Sequence, residues 1–170
     1  RDLTIKNVIP EHIASLTSKL KDIGFKMDIG RDYITISRND DLNVTRIKTL
    51  GYPGFPTDLQ QPITTLLTQI DGISFLEETI YENRFQNIPY LNKMGANIEI
   101  NDRIITIKGK TNLKGTTVEA TDLRAGACLV LAGLIAEGTT TITEIKHVLR
   151  GYENIIEKLT SVGAKIELDL

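Results

Sequence analysis

One acid stands out by its surroundings. The stretch "GYPGFPTDLQQP" (51–62) bends and stiffens its backbone with Gly51, Pro53, Gly54, Pro56 and Pro62, and Asp58 is the one carboxylate it carries. Proline fixes φ and glycine opens backbone angles that other residues avoid, so Asp58 follows a constrained turn. A carboxylate held in this way suits general-base work, which needs a group within hydrogen-bond reach of its proton and unable to wander. A structural role also fits. Thr57 reads as a helix N-cap with Gln60 completing a capping box, and an acid in the first turn is favoured by the helix dipole. Pro62 sits awkwardly with that start, because it withholds a backbone hydrogen bond. Asp122, in "ATDLRA", occupies the equivalent place 64 residues on and reads as the structural case.

Three arginines accompany the acid: Arg84 in "YENRF", Arg124 in "TDLRA" and Arg150 in "LRGYE". Each is expected at or near a helix N-terminus, the wrong end for a cation seeking the dipole. It is a sensible end for a cation that helps backbone N–H groups hold an anion. At repeat-related positions they point to an anion site. Cys128 lies among Ala127, Leu129 and Val130 and reads as a packed small thiol. His12 and His147 have no second ligand at metal spacing, and neither a P-loop nor a GxGxxG is present, so no metal or cofactor is expected.

The elements that must position these groups come from a repeat. "LKDIGFKMDI" (20–29), "LNKMGANIEI" (91–100) and "LTSVGAKIEL" (159–168) share one pattern, and Gly24, Gly95 and Gly163 recur 71 and 68 residues apart. Upstream of Gly24, Ile13, Leu16, Leu20 and Ile23 mark one helical face. The glycine then sits where a left-handed C-cap is wanted. "FKMDI" and "YITIS" alternate about a turn and form a hairpin, and the middle copy repeats this into "RIITIKG". "TTTITEI" (139–145) is a strand. Each unit therefore reads strand–helix–strand–helix–strand–strand in some cyclic order. "AGACLVLAGLIAEG" (125–138) is apolar on every side, so this helix is expected to be buried all round. That places helices inside and sheets outside. The fold expected is α/β (α+β), a partial domain of about two and a half units over residues 1–170, with internal repeats near 1–56, 57–120 and 121–170.

Length and composition bound the rest. The 170 residues can bury a core. With 20 Lys+Arg against 22 Asp+Glu and no basic run, neither nucleic acid nor an anionic membrane is expected as partner. The apolar run Ala125 to Ala136 is shorter than the about 20 residues a membrane span takes. The lone cysteine fits a reducing compartment, and a soluble cytoplasmic protein is expected. The chain opens on Arg1 rather than Met and is expected to be a piece of a longer repeat array.

Taken together, "GYPGFPTDLQQP", "ETIYENRF", "LNKMGA", "ATDLRAGACLVLAGLIAEGTT" and "RGYENIIEKL" resemble the UDP-N-acetylglucosamine 1-carboxyvinyltransferases, the enolpyruvyl transferases that open peptidoglycan precursor synthesis. The resemblance covers the whole chain and about the C-terminal two-fifths of the family's. It implies domains built as inside-out α/β barrels of βαβαββ units, with catalysis in the cleft between two of them. It implies transfer of enolpyruvyl from phosphoenolpyruvate to the 3′-hydroxyl of UDP-N-acetylglucosamine, with release of phosphate. By the same resemblance Asp58 hydrogen-bonds that hydroxyl and is the candidate base, and Ile80 contacts the UDP-sugar through its backbone. Arg124 and Arg150 meet the phosphoenolpyruvate side, with Arg84 in the same cluster. The family commonly has an acidic residue where this chain has Leu149. Its essential lysine and mobile-loop cysteine lie outside this chain; Cys128 is not that cysteine, and this piece alone is expected to be inactive. The shikimate-pathway enolpyruvyl transferase shares the fold and chemistry, and a non-catalytic paralogue that holds a nucleotide sugar is the alternative from another class.

Overall fold

The structure, a computed structural model, describes residues 2–169. Its strands are β1 (Asp2–Lys6), β2 (Lys26–Ile29), β3 (Tyr33–Ser37), β4 (Arg46–Lys48), β5 (Gly72–Glu77), β6 (Ile98–Asn101), β7 (Ile104–Gly109), β8 (Thr117–Glu119) and β9 (Thr141–Thr143). Its helices are α1 (Ala14–Ile23), α2 (Gln60–Leu67), α3 (Ile88–Lys93), α4 (Leu123–Ile135), α5 (Lys146–Gly151) and α6 (Ile155–Ser161). Residues 46–109 run β4–α2–β5–α3–β6–β7, in a four-stranded sheet ordered β4-β5-β7-β6. The first sheet, ordered β1-β3-β2, repeats the β5-β7-β6 part of that arrangement. β8 and β9 pair in parallel, as β4 and β5 do. β1 was not foreseen, although Leu3 and Ile5 alternate within it; both are exposed.

The three repeated glycines close their helices in one way. Gly24, Gly95 and Gly163 have φ of 117°, 103° and 101°. In each case the next residue's N–H reaches back to a leucine carbonyl: Phe25 to Leu20, Ala96 to Leu91 and Ala164 to Leu159, all at 3.0 Å. This is the Schellman closure that a left-handed cap residue permits. After Gly24 and Gly95 the chain enters β2 and β6 as expected. After Gly163 the "AKIEL" strand does not form: residues 164–169 join no ladder, because among the described residues no strand lies beside them to satisfy the backbone.

The core is shared between sheet faces and internal helices. Ile47, Leu76, Ile105 and Ile107 from the four-stranded sheet pack with Ile63, Leu67, Leu91 and Leu129 from the helices and with Met94, which caps α3. α2 buries Gln60, Gln61, Ile63, Thr64, Thr65 and Leu67, six of its eight residues, which makes it an internal helix. Its threonines are tolerated there because their hydroxyls bond back to carbonyls, Thr64 to Gln60 at 2.8 Å and Thr65 to Cys128 at 3.0 Å. α4 is internal over Ala125–Val130, but Leu131, Leu134 and Ile135 are exposed, so the expectation of burial all round holds only for its first half.

The cap geometry has a measurable consequence. Gly95→Ala forces a side chain into a left-handed backbone and places its Cβ 3.3 Å from the Asn112 carbonyl oxygen. It is expected to cost at least about 1 kcal/mol, read as a lowered urea midpoint at unchanged slope. Gly51→Ala, whose Cβ meets nothing within 4 Å, is the control and should stay within about 0.5 kcal/mol of the parent.

Candidate active site

The stiff turn ahead of Asp58 is closed from both ends. Leu50 N–H donates to the Phe55 carbonyl at 2.9 Å, Gly54 N–H donates to Gly51 at 2.8 Å, and Phe55 is buried in the core. Gly54 is required by close approach, since a Cβ there would lie 2.4 Å from the Cβ of Leu50. A 3-10 turn over Thr57–Leu59 then leads into α2. The expected capping box is not made. Pro56 occupies the cap position, and the amide of Gln60 is buried with neither atom hydrogen-bonded among the described residues. The Thr57 hydroxyl is engaged elsewhere: it accepts from Arg84 Nη1 at 2.7 Å and donates to Glu78 Oε2 at 2.8 Å. Pro62 is harmless because α2 starts at Gln60, which leaves Pro62 in the first turn where N–H groups lack helical partners anyway.

Asp58 is where three segments meet. Its Oδ1 accepts from Arg124 Nε at 2.6 Å and lies 3.5 Å from Arg84 Nη2. The carboxylate side chain is 63% exposed, Arg124 33% and Arg84 12%. An ion pair that open contributes no more than about 1 kcal/mol to stability, so the cluster is not what holds the fold together. The Asp58 hydrogen bond raises the Arg124 guanidinium further above its ordinary range, with partial burial opposing. Arg84 is fixed more tightly: its guanidinium lies 4.2 Å from the Tyr81 ring centroid, and its backbone carbonyl accepts from Gln61 Nε2 at 3.1 Å. It lies in the loop before α3, four residues short of the helix. Arg124 is in the first turn of α4, as expected, beside Asp122. Asp122 is the true N-cap, accepting from Arg124 N at 2.7 Å and Ala125 N at 3.0 Å. Its structural reading holds.

Arg150 is placed differently. It lies in the last turn of α5, the end where the dipole favours a cation, not at an N-terminus. It is exposed, and among the described residues no hydrogen bond or ion pair joins it to Asp58, Arg84 or Arg124. The next two residues do approach the cluster. Gly151 packs against Leu123, and Tyr152 is close enough to Asp58 and Arg124 to feel both charges, although burial is the main cause that raises its phenol above the ordinary range. Ile80 stands just beyond β5, with a half-exposed side chain and an N–H that donates to Glu78 Oε1 at 2.8 Å.

Sequence reasoning missed Glu78, Tyr81 and Tyr152. Tyr81 and Tyr152 sit inside the strings "YENRF" and "RGYE", which drew attention to their arginines alone. Glu78 follows β5 directly, beside a second acid, Glu77, and nothing in its type or spacing marks it as buried. Cys128 is the packed thiol expected. It is fully buried, Thr65 Oγ1 lies 3.1 Å and Asn87 Nδ2 3.3 Å from its sulfur, and burial pushes it up to about 11.

The model of the EPSP synthase (3-phosphoshikimate 1-carboxyvinyltransferase) family matches residues 1–159, and the chain belongs to that family. Among its relatives is UDP-N-acetylglucosamine 1-carboxyvinyltransferase 2 of Geobacillus kaustophilus (strain HTA426), 48% identical over 97% of this chain and 39% of the relative. The protein of the same name from Staphylococcus aureus (strain N315) is 49% identical over the same shares. The chain thus spans about two fifths of the length of the curated relatives it matches. Its fold is also that of the enolpyruvyl transferase NikO from Streptomyces tendae, with a TM-score of 0.90 and 28% identity over 98% of this chain and 40% of that one. EPSP synthase from Acinetobacter baumannii, at 17% identity and a TM-score of 0.72, shares the fold.

Cys128 gives the test of this region. A buried neutral thiol should resist iodoacetamide at pH 8 until the protein is unfolded. Its contribution to stability is complete below the usual thiol range near about 8.5 and is lost as pH rises toward about 11, because only the unfolded chain ionises there. Cys128→Ser is expected to flatten that alkaline decline, read from urea midpoints between these pH values.

Proposed function

We propose that this chain is the acceptor-side part of an enolpyruvyl transferase that moves the enolpyruvyl group of phosphoenolpyruvate onto the 3′-hydroxyl of UDP-N-acetylglucosamine, releasing phosphate. The observation that carries the reading is the convergence of Asp58, Arg84 and Arg124 from three segments on one exposed carboxylate oxygen, in a chain 48% identical to a relative of that name. Asp58 Oδ2 has no hydrogen bond among the described residues, and it is the oxygen assigned to the incoming hydroxyl. In the addition step, the 3′-oxygen bonds to C2 of phosphoenolpyruvate, its proton passes to Asp58, and C3 gains a proton from a group outside this chain. In the elimination step C3 returns a proton to a group outside this chain, the C2–O bond to phosphate breaks and the double bond re-forms, and Asp58 gives up its proton to the departing phosphate or solvent.

The arginines have a matching task. Arg124 and Arg84 offset the carboxylate and phosphate charges that gather as the tetrahedral intermediate forms. Arg150 belongs to the same side of the site by family resemblance, and to reach it the side chain must swing inward from the end of α5. The Ile80 N–H is already held by Glu78, so a backbone contact from Ile80 to the UDP-sugar uses its carbonyl. Because the chain spans about two fifths of its relatives, turnover is assigned to the longer protein, and this piece alone is inactive. We also assign to that protein an inside-out barrel of βαβαββ units and a cytoplasmic location. Among the described residues no helix is long and apolar enough to cross a membrane.

The family model's own description favours a second acceptor, 3-phosphoshikimate. Phosphate release by the full-length protein should require phosphoenolpyruvate with UDP-N-acetylglucosamine and should not occur with 3-phosphoshikimate. Asp58→Asn is expected to lose at least about a hundredfold in kcat. Turnover that survives the substitution returns Asp58 to a structural role. A parent that binds UDP-N-acetylglucosamine without turning it over is a binding paralogue.

A further inference from the structure

The most buried acid of the molecule has no part in the chemistry just described. Glu78 is 1% exposed, at the end of β5. Its Oε1 accepts from Thr49 Oγ1 at 2.9 Å, Ile80 N at 2.8 Å and Tyr81 N at 3.1 Å, and its Oε2 accepts from Thr57 Oγ1 at 2.8 Å. The direction of every bond is fixed. The backbone N–H groups can only donate. Thr49 Oγ1 already accepts from Thr79 N at 2.9 Å, which sends its own proton to Glu78. Arg84 has no acceptor, so the Thr57 oxygen receives Nη1 and its single proton points to Oε2.

We propose that Glu78 is the positioning residue of the acceptor site: one buried carboxylate fixes both the Ile80–Tyr81 turn and, through Thr57, the Arg84 guanidinium beside Asp58. The inference rests on the reading of Asp58 and Ile80 as acceptor-site residues. The two turns come from separate parts of the chain, one before α2 and one after β5, and Glu78 is the group bonded to both. Tyr81 strengthens the link, since its backbone is held by Glu78 and its ring stacks on Arg84. An acceptor is required on both oxygens. An amide of the same shape would turn its NH₂ either toward Thr57, whose proton then has no acceptor, or toward two backbone N–H groups. Both arrangements leave without a partner a donor that Glu78 now receives.

The test uses the full-length protein with Glu78→Gln and, separately, Thr57→Val, which removes one hydroxyl and keeps the other three bonds to Glu78. Glu78→Gln is expected to raise the KM for UDP-N-acetylglucosamine at least about tenfold and, with Arg84 released, to lower kcat; Thr57→Val, which keeps the Ile80–Tyr81 turn, should lower kcat and leave the acceptor KM within about twofold. A loss of folded protein alone would lower kcat and leave the acceptor KM unchanged, so this split separates positioning from stability. Crystal structures of the parent and variants provide the readout that does not depend on activity. Glu78→Gln should move Arg84 off Thr57 and displace the Ile80–Tyr81 turn; Thr57→Val should move Arg84 and leave that turn in place. If the parent does not turn over, the functional reading fails and the crystal structures alone decide the role of Glu78. Should Glu78→Gln not fold, the Thr57→Val structure decides. An unchanged acceptor KM in a folded Glu78→Gln protein, an acceptor KM that rises as far in Thr57→Val, or an Arg84 that stays in place overturns the proposal.

Discussion

The packing of α2 against α4 is the contact on which the rest of the structure depends. It is the most extensive helix–helix contact in the chain, made by two helices that are internal where they meet. Internal helices must satisfy polar side chains without water, and here Thr65 and Cys128 do so across the contact. The packing leaves little choice about where the helix starts lie. The turn ahead of α2 carries Asp58 and the first turn of α4 carries Arg124, and the two side chains meet at 2.6 Å. The ion pair follows from the packing and does not cause it.

The site therefore divides into a rigid layer and an open one. Buried below are Glu78, Thr49 and the Phe55 anchor, themselves out of water. Above them Asp58 and Arg124 face solvent, where an ion pair is weak enough to exchange for a ligand. Arg84 spans both layers, held by Thr57 and Tyr81 with one nitrogen still near Asp58. A binding site needs this combination: groups placed in advance by their supports, yet not so strongly paired that a substrate cannot displace the pairing.

What the sequence made legible was whatever had a local signature. The glycine of each helix–glycine–strand copy announces its cap, because a left-handed backbone after an apolar helical face is a local demand. The hairpins and the internal character of early α4 could be read for the same reason. Thr57 misled because its pattern with Gln60 is a true capping pattern, and only the tertiary neighbours Glu78 and Arg84 divert its hydroxyl. The strand expected at 164–168 failed because a strand is a pairing, and pairing is not local. Arg150 fell on the other end of its helix because α5 ends at Gly151, before the helix expected to follow it. Leu131, Leu134 and Ile135 show the limit of reading burial from composition, since an apolar residue is buried only where something covers it.

The central claim is that the carboxylate of Asp58 is the meeting point of acceptor and arginines, and a crystal structure of the full-length protein with UDP-N-acetylglucosamine tests it most directly. The sugar 3′-hydroxyl is expected within hydrogen-bond distance of Asp58 Oδ2, with the Ile80 carbonyl against the same ligand and the Glu78 bonds intact. A nucleotide sugar seated elsewhere, with Asp58 still turned only to Arg124 and Arg84, would contradict it.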